Sequence, residues 1–280
     1  PQEAIDQLAE SYPTLENILP LTPLQQGILF HSLESEGAYQ VQLHFRIEGN
    51  FDPERFRKAW QQTVDRHQVL RMAVPEGETD LMVINRKAEI PFLVADRRND
   101  PKYHESLQTY LEIDRQEGFD LSRAPLLRLA IFQVEENAWE VILNNHHITL
   151  DGWSLATVMA EVLKTYTEEP LGRVLPFSDY SEWLHSRKTE TSLAWWHSTL
   201  AGFDKPNRID LALVEKKSGF GEQTLTIDPK ICQQLDSMAR EMRTTQSTLL
   251  QAVWGGLISR LTGDQDVVFG NVVSGRPAAI

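Results

Sequence analysis

Asn144-Asn145-His146-His147-Ile148-Thr149-Leu150-Asp151-Gly152-Trp153-Ser154 joins an apolar run, Trp139 to Asn145, to a segment in which Leu155, Val158, Met159, Val162, Leu163 and Tyr166 recur at intervals of three and four. The first half reads as a strand and the second as an amphipathic helix, so two histidines, a carboxylate and a glycine stand at a strand-to-helix passage. Neighbouring strand residues point to opposite faces, so His146 and His147 cannot share a cavity unless the strand has already ended. One is then chemical and the other supportive. Imidazole exchanges a proton near neutrality, as general acid–base chemistry requires. The pair alone reads equally well as two buried histidines with satisfied hydrogen bonds. It is a poor metal site, because adjacent histidines diverge and no spaced set of His, Cys or carboxylates accompanies them. No Gly-x-Ser-x-Gly elbow and no phosphate-binding glycine loop occurs, and Val273-Ser274-Gly275 is only a partial echo of the first.

Outward from that passage, strands and helices alternate, which predicts an α/β (α+β) architecture around a mixed sheet. Tyr39 to Glu48 alternates strictly, with Val41, Leu43, Phe45 and Ile47 on one face. Asp52-Pro53 then caps a helix with Phe56, Trp60, Val64, His67 and Leu70 on its apolar side. His67 there reads as a core histidine. A strand over 81–84, a helix over 103–116, a strand over 126–134 and a hairpin through Glu135-Glu136-Asn137-Ala138 lead back to the histidines. Residues 1–19 read as a linker, 20–175 as an N-terminal lobe and 176–207 as a connecting segment with a helix near 180–187. Residues 208–280 read as the first part of a second lobe. There the expected order is a strand over 222–227, a helix after Asp228-Pro229, a helix carrying Leu250, Val253, Trp254, Leu257, Ile258 and Leu261, and a strand over 267–273. The echo of strand, Asp-Pro and helix suggests that this lobe is built like the first, and its sheet is expected to be unfinished.

Forty acidic against 27 basic side chains leave a net charge of −13, whose field repels a phosphate backbone and argues against nucleic acid as a partner. No apolar run is long enough to span a bilayer, so no membrane is expected. The single cysteine, Cys232, reads as a structural thiol in a reducing cytoplasm.

His146-His147-Ile148-Thr149-Leu150-Asp151-Gly152 resembles the His-His-x-x-x-Asp-Gly signature of the condensation domains of nonribosomal peptide synthetases, relatives of chloramphenicol acetyltransferase. Three further stretches agree in order: Leu21 to His31, Arg66-His67-Gln68-Val69-Leu70-Arg71, and Asp266 to Gly270 followed by Ser274-Gly275-Arg276-Pro277. The resemblance implies two acetyltransferase-like lobes in a V and a tunnel between them. It implies an enzyme that joins donor and acceptor aminoacyl thioesters through an amide bond. It makes His147 the active-site histidine and Gly152 a backbone position close to the reacting centre. His146 is supporting, and Asp151 is a structural anion paired with an arginine, Arg276 first and Arg71 second. Trp153 is a candidate for lining the tunnel. No cofactor is expected in the domain itself. Its substrates would ride on the 4′-phosphopantetheine arms of an upstream donor and a downstream acceptor carrier protein, with an adenylation domain supplying activated residues. The stretch Thr22 to His31 is closer to the opening of domains that take a D-configured donor than to the Ser-x-Ala-Gln-x-Arg-Leu form. An epimerization domain and a catalytically silent recruitment domain of the same fold are the alternatives.

Overall fold

The computed structural model describes residues 2–35, 37–187, 189–209 and 223–275. They fall into two compact units, the first running to Arg187 and the second from there to Gly275.

In the first unit, α1 (Gln2–Ser11) leads into β1 (Leu15–Pro20), and α2 (Pro23–Glu34) precedes β2 (Gln40–Glu48). The helix α3 (Pro53–Arg66) and a 3-10 turn over Gln68–Arg71 are followed by β3 (Met72–Ala73), β4 (Leu81–Asn85) and β5 (Phe92–Asp96). Then come α4 (Tyr103–Glu117), β6 (Leu127–Glu135), β7 (Ala138–His146), α5 (Gly152–Tyr166) and α6 (Phe177–Ser186). The strands form two sheets. One is antiparallel, in the order β1-β4-β3, and the other is mixed, in the order β2-β7-β6-β5, with only β5 and β6 parallel.

The alternation in β2 survives as cross-strand pairs with β7, from Glu48 opposite Ala138 to Gln40 opposite His146. On one face of this sheet lies the main core, where Phe56, Trp60 and Val64 of α3 and Val158 and Val162 of α5 meet Leu129, Ile131, Val141 and Leu143. Each such side chain removed from water contributes about 1.5–3 kcal/mol, which fixes α3 and α5 on the sheet. Asp52 caps α3 by accepting from the Glu54 and Arg55 amides, as Asp-Pro in front of an apolar stripe predicts. The other face is covered by α4, whose Leu107 packs on Ala130, Phe132 and Ile142. His67 is not on the α3 stripe. It caps the end of that helix and meets Glu161 of α5 with its Nε2 2.7 Å from Oε2.

Four expectations are corrected. Residues 15–19 are not linker, because β1 pairs with β4 from Leu15 opposite Asn85 to Pro20 opposite Leu81. Pro20 is tolerated because it ends an edge strand, where a missing amide breaks no ladder. The break between the units falls inside the stretch read as connecting, and α6 belongs to the first unit, where the Ser178 amide donates to Gln68 Oε1 at 3.2 Å. In the second unit, residues 223–227 form no strand, while Glu222 lies outside the described residues. Residues 267–273 form none either: the Val268 amide is taken by the side chain of Asn207 at 2.9 Å rather than by a neighbouring strand. An apolar β-rich run becomes a strand only where a ladder partner receives it. The helices of this unit, α7 (Glu190–Thr199), α8 (Pro229–Glu241) and α9 (Gln246–Thr262), include the two expected after Asp228 and around Trp254.

Candidate active site

The ladder of β7 stops at His146, so the residues after it leave the pleat as a turn. The turn is braced from every direction. The His147 amide donates to the Tyr39 carbonyl at 2.8 Å, just beyond the start of β2, and the Thr149 amide and hydroxyl both donate to the His146 carbonyl. Gln25 of α2 donates through Nε2 to the Ile148 carbonyl at 3.1 Å. Gln25 is itself locked, because Thr22 and Gln25 form a reciprocal capping box at the start of α2. That buried glutamine was not singled out from sequence, although it lies in the Leu21 to His31 stretch.

The two imidazoles are held in opposite tautomers. The Ile148 amide donates to His146 Nδ1 at 3.2 Å, so that nitrogen carries no proton. The proton is then on Nε2, which donates to Ser32 Oγ at 3.2 Å, and Ser32 donates onward to the Ile28 carbonyl at 2.7 Å. Both nitrogens are engaged, and the residue is only 4% exposed. Burial first, and the neighbouring His147 second, push its pKa down from 6.5 to about 4. In His147 the arrangement is reversed. Nδ1 meets the Leu150 carbonyl, which can only accept, so Nδ1 carries a proton, and in the neutral ring the lone pair is on Nε2. Among the described residues no group hydrogen-bonds to that Nε2.

His146 lines a cavity of about 720 Å³ with Gln40, Ser32, Phe119 and Leu121, and neither His147 nor Tyr39 is part of its wall. The alternation expected of adjacent strand residues holds here at the end of both strands. Behind His146, the Phe119 ring stands edge-on at 6.4 Å and carries the Arg128 guanidinium at 4.5 Å. Arg128 is paired with Asp114 of α4, Nε to Oδ1 2.6 Å. Asp114 is 4% exposed and also accepts from Gln42 and Asn144, each at 2.7 Å. This buried polar network under the sheet end was missed from sequence, because each member is an ordinary polar residue on its own element.

Asp151 is the N-cap of α5. Its Oδ1 accepts from the Ser154 amide at 2.7 Å and from the Ser154 hydroxyl. Arg71, the second choice for its partner, stands in a different ion pair, donating from Nη1 to Glu16 at 2.5 Å and to the Asn85 carbonyl. Arg71 ends the 3-10 turn beside β4, which directs it into the small sheet rather than toward α5. Arg276, the first choice, lies outside the described residues. Gly152 opens α5 with ordinary backbone angles, and a Cβ there would meet nothing within 4 Å. Trp153 follows it and is exposed. Among the described residues, no three His, Cys, Asp or Glu groups stand together as a metal site, and no helix is long and apolar enough to cross a membrane.

The model of the condensation-domain family matches residues 15–279. The chain belongs to the condensation-domain family. Among curated relatives, tyrocidine synthase 3 of Brevibacillus parabrevis is 34% identical over 285 residues, covering 95% of this condensation domain and 4% of that protein. Bacitracin synthase 3 of Bacillus licheniformis is 31% identical over 277 residues, again covering 95% and 4%. The chain thus spans a small part of these much longer synthases. Among solved structures, an arginine-to-alanine mutant of the starter condensation domain of rhizomide synthetase superposes with a TM-score of 0.72 at 19% identity, over 94% of this chain and 64% of that one. The condensation domain from Monacolin K polyketide synthase gives 0.73 at 17%, over 89% and 61%. The mixed α/β fold is that of condensation domains.

Proposed function

We propose that this condensation domain forms the amide bond between a donor aminoacyl or peptidyl thioester and the amine of an acceptor aminoacyl thioester, both carried on 4′-phosphopantetheine arms of partner carrier proteins. The observation that carries the reading is the contact of His147 Nδ1 with the Leu150 carbonyl. With Nδ1–H given to the Leu150 carbonyl, Nε2 presents a basic lone pair at a turn braced by Tyr39 and Gln25. In the reaction the acceptor nitrogen attacks the donor carbonyl carbon, the C–N bond forms and the C–S bond breaks. Nε2 accepts a hydrogen bond from the attacking amine, which orients its lone pair, takes the proton as the nitrogen becomes cationic, and returns it to the departing thiolate. An α-amino group titrates near pH 8 and is partly neutral in the cell, so orientation supplies much of what the step needs. Gly152 keeps the start of α5 free of a side chain where the arms approach, and Asp151 holds the helix start in place. His146, with both nitrogens engaged, supports the turn and handles no proton. An upstream carrier and a downstream carrier are the partners, with an adenylation domain supplying the activated residues.

The test is a condensation assay in the intact synthetase with both carriers loaded, comparing the parental domain with His147→Ala. Product release is followed together with the configuration of the donor residue. Amide formation that His147→Ala abolishes supports the reading. Amide formed by the variant at the parental rate, or a parental domain that only inverts the donor stereocentre, refutes it.

A further inference from the structure

Three non-glycine residues among those described have a left-handed backbone: Tyr39 (φ 59°), Glu168 (φ 62°) and Arg243 (φ 51°). Glu168 and Arg243 each follow the C-cap of a helix, α5 and α8, where that conformation is the ordinary way to end. Tyr39 ends no helix. It closes the turn between α2 and β2, immediately before Gln40 pairs with His146. A bulky side chain is disfavoured in this region, and glycine or asparagine adopts it at far lower cost.

The backbone duty of residue 39 does not call for tyrosine. Its carbonyl accepts the His147 amide at 2.8 Å, and any residue has that carbonyl. What tyrosine adds is the ring, and the ring lies beside the candidate site. Its centroid is 6.4 Å from that of the His147 imidazole, with the planes tilted by 37°. It also stacks at 6.3 Å on His31, which Phe30 meets edge-on at 5.3 Å. Phe30, His31 and Tyr39 are all exposed, Tyr39 by 39%, so this file of rings runs along the surface of the first unit to His147. The strained residue is thus kept where its ring neighbours the His147 imidazole and still stays exposed to solvent.

We propose that Tyr39 is a positioning residue of the condensation reaction: its ring is the platform on which the apolar stem of the aminoacyl thioester lies while the amine meets His147 Nε2. This rests on the assignment of His147 to the reacting centre. Stacked on a fixed aromatic face, the stem loses the freedom that would otherwise carry the reacting atoms apart, so the ring acts on kcat more than on binding. The strain is the counterpart of that placement, stability exchanged for geometry at a working site.

The experiment replaces Tyr39 by Phe, Gly and Asn in the intact synthetase, and measures kcat and KM for the loaded acceptor carrier, together with melting temperature. Tyr39→Phe keeps the platform and should react within about twofold of the parent. Tyr39→Gly and Tyr39→Asn relieve the backbone, so both should melt at the parental temperature or higher, while kcat falls about tenfold or more and KM changes less. A merely structural tyrosine would give stabilised variants with unchanged kcat, and that result overturns the proposal. So does a Tyr39→Phe variant as slow as Tyr39→Gly, or a Tyr39→Gly variant whose lost activity follows a lowered melting temperature. The parental protein and His147→Ala run in parallel: parental inactivity overturns the functional reading and the proposal with it, whereas an active parent with an unaffected Tyr39→Gly overturns the proposal alone.

Discussion

Replacing His146 by glutamine should change how stability responds to acid more than it changes stability at neutral pH. In the folded protein the His146 pKa is pushed down to about 4 from 6.5, chiefly by burial. Between those values the unfolded chain binds a proton that the native state refuses, so stability present above pH 6.5 is lost as the pH falls toward 4. At pH 4.5 an unfolded histidine is almost fully protonated and the native one about one quarter so. The difference amounts to about 2–3 kcal/mol at roughly 1.4 kcal/mol per pKa unit. Glutamine can still accept from the Ile148 amide and reach Ser32, but it does not titrate. The assay is denaturant unfolding of both proteins at pH 7.5 and pH 4.5. Whatever glutamine costs in packing appears at both pH values, and the carboxylates of the rest of the chain titrate in both proteins, so both effects cancel. The wild type should lose about 2–3 kcal/mol more than His146→Gln between the two conditions. Equal losses would mean that His146 is not a neutral imidazole sealed behind the turn, and the assignment of opposite tautomers to the two histidines would fall with it.

Other outcomes are as specific. Asp114→Ala leaves the Arg128 guanidinium without its buried carboxylate and should cost roughly 3–5 kcal/mol of unfolding free energy in denaturant titration; a loss under about 1 kcal/mol would show that the pair is solvated. Asp151→Asn keeps a side-chain oxygen to cap α5 and should melt higher than Asp151→Ala, which gives up the bond to the Ser154 amide at a cost of about 1 kcal/mol. Identical melting curves for the two variants would refute the cap. With donors of either configuration on the upstream carrier, product should form faster from the D-configured one, and equal or faster turnover of the L-configured donor would contradict the reading of Thr22 to His31.

Much of the fold near the site was legible because it depends on pattern. Strict alternation marks β2, Asp52-Pro53 marks the start of α3, and the three-and-four spacing after Gly152 marks α5. The strand-to-helix passage was legible for the same reason, since β7 ends at His146 and α5 starts at Gly152. What escaped depends on partners. β1 has too little alternation to announce itself and exists because β4 receives it, while 267–273 has the composition of a strand and forms none. Asp114, Arg128, Gln42 and Asn144 come from α4, β6, β2 and β7, and only the folded sheet shows that a carboxylate on a helix lies beneath a guanidinium on a strand. Tyr39 was hidden differently. A positive φ is a property of the assembled turn, and nothing in a tyrosine foretells it.

The bond from the His147 amide to the Tyr39 carbonyl closes a loop of more than a hundred residues at the last rung of the β2–β7 ladder. Strand ends open more easily than strand centres, and they open without disturbing a core built around Trp60 and Leu143. On heating, this domain should therefore fall silent before it melts. Frayed molecules would keep their far-ultraviolet dichroism and recover on cooling, and amide exchange at His147 would report the loss of working sites degrees below the unfolding transition.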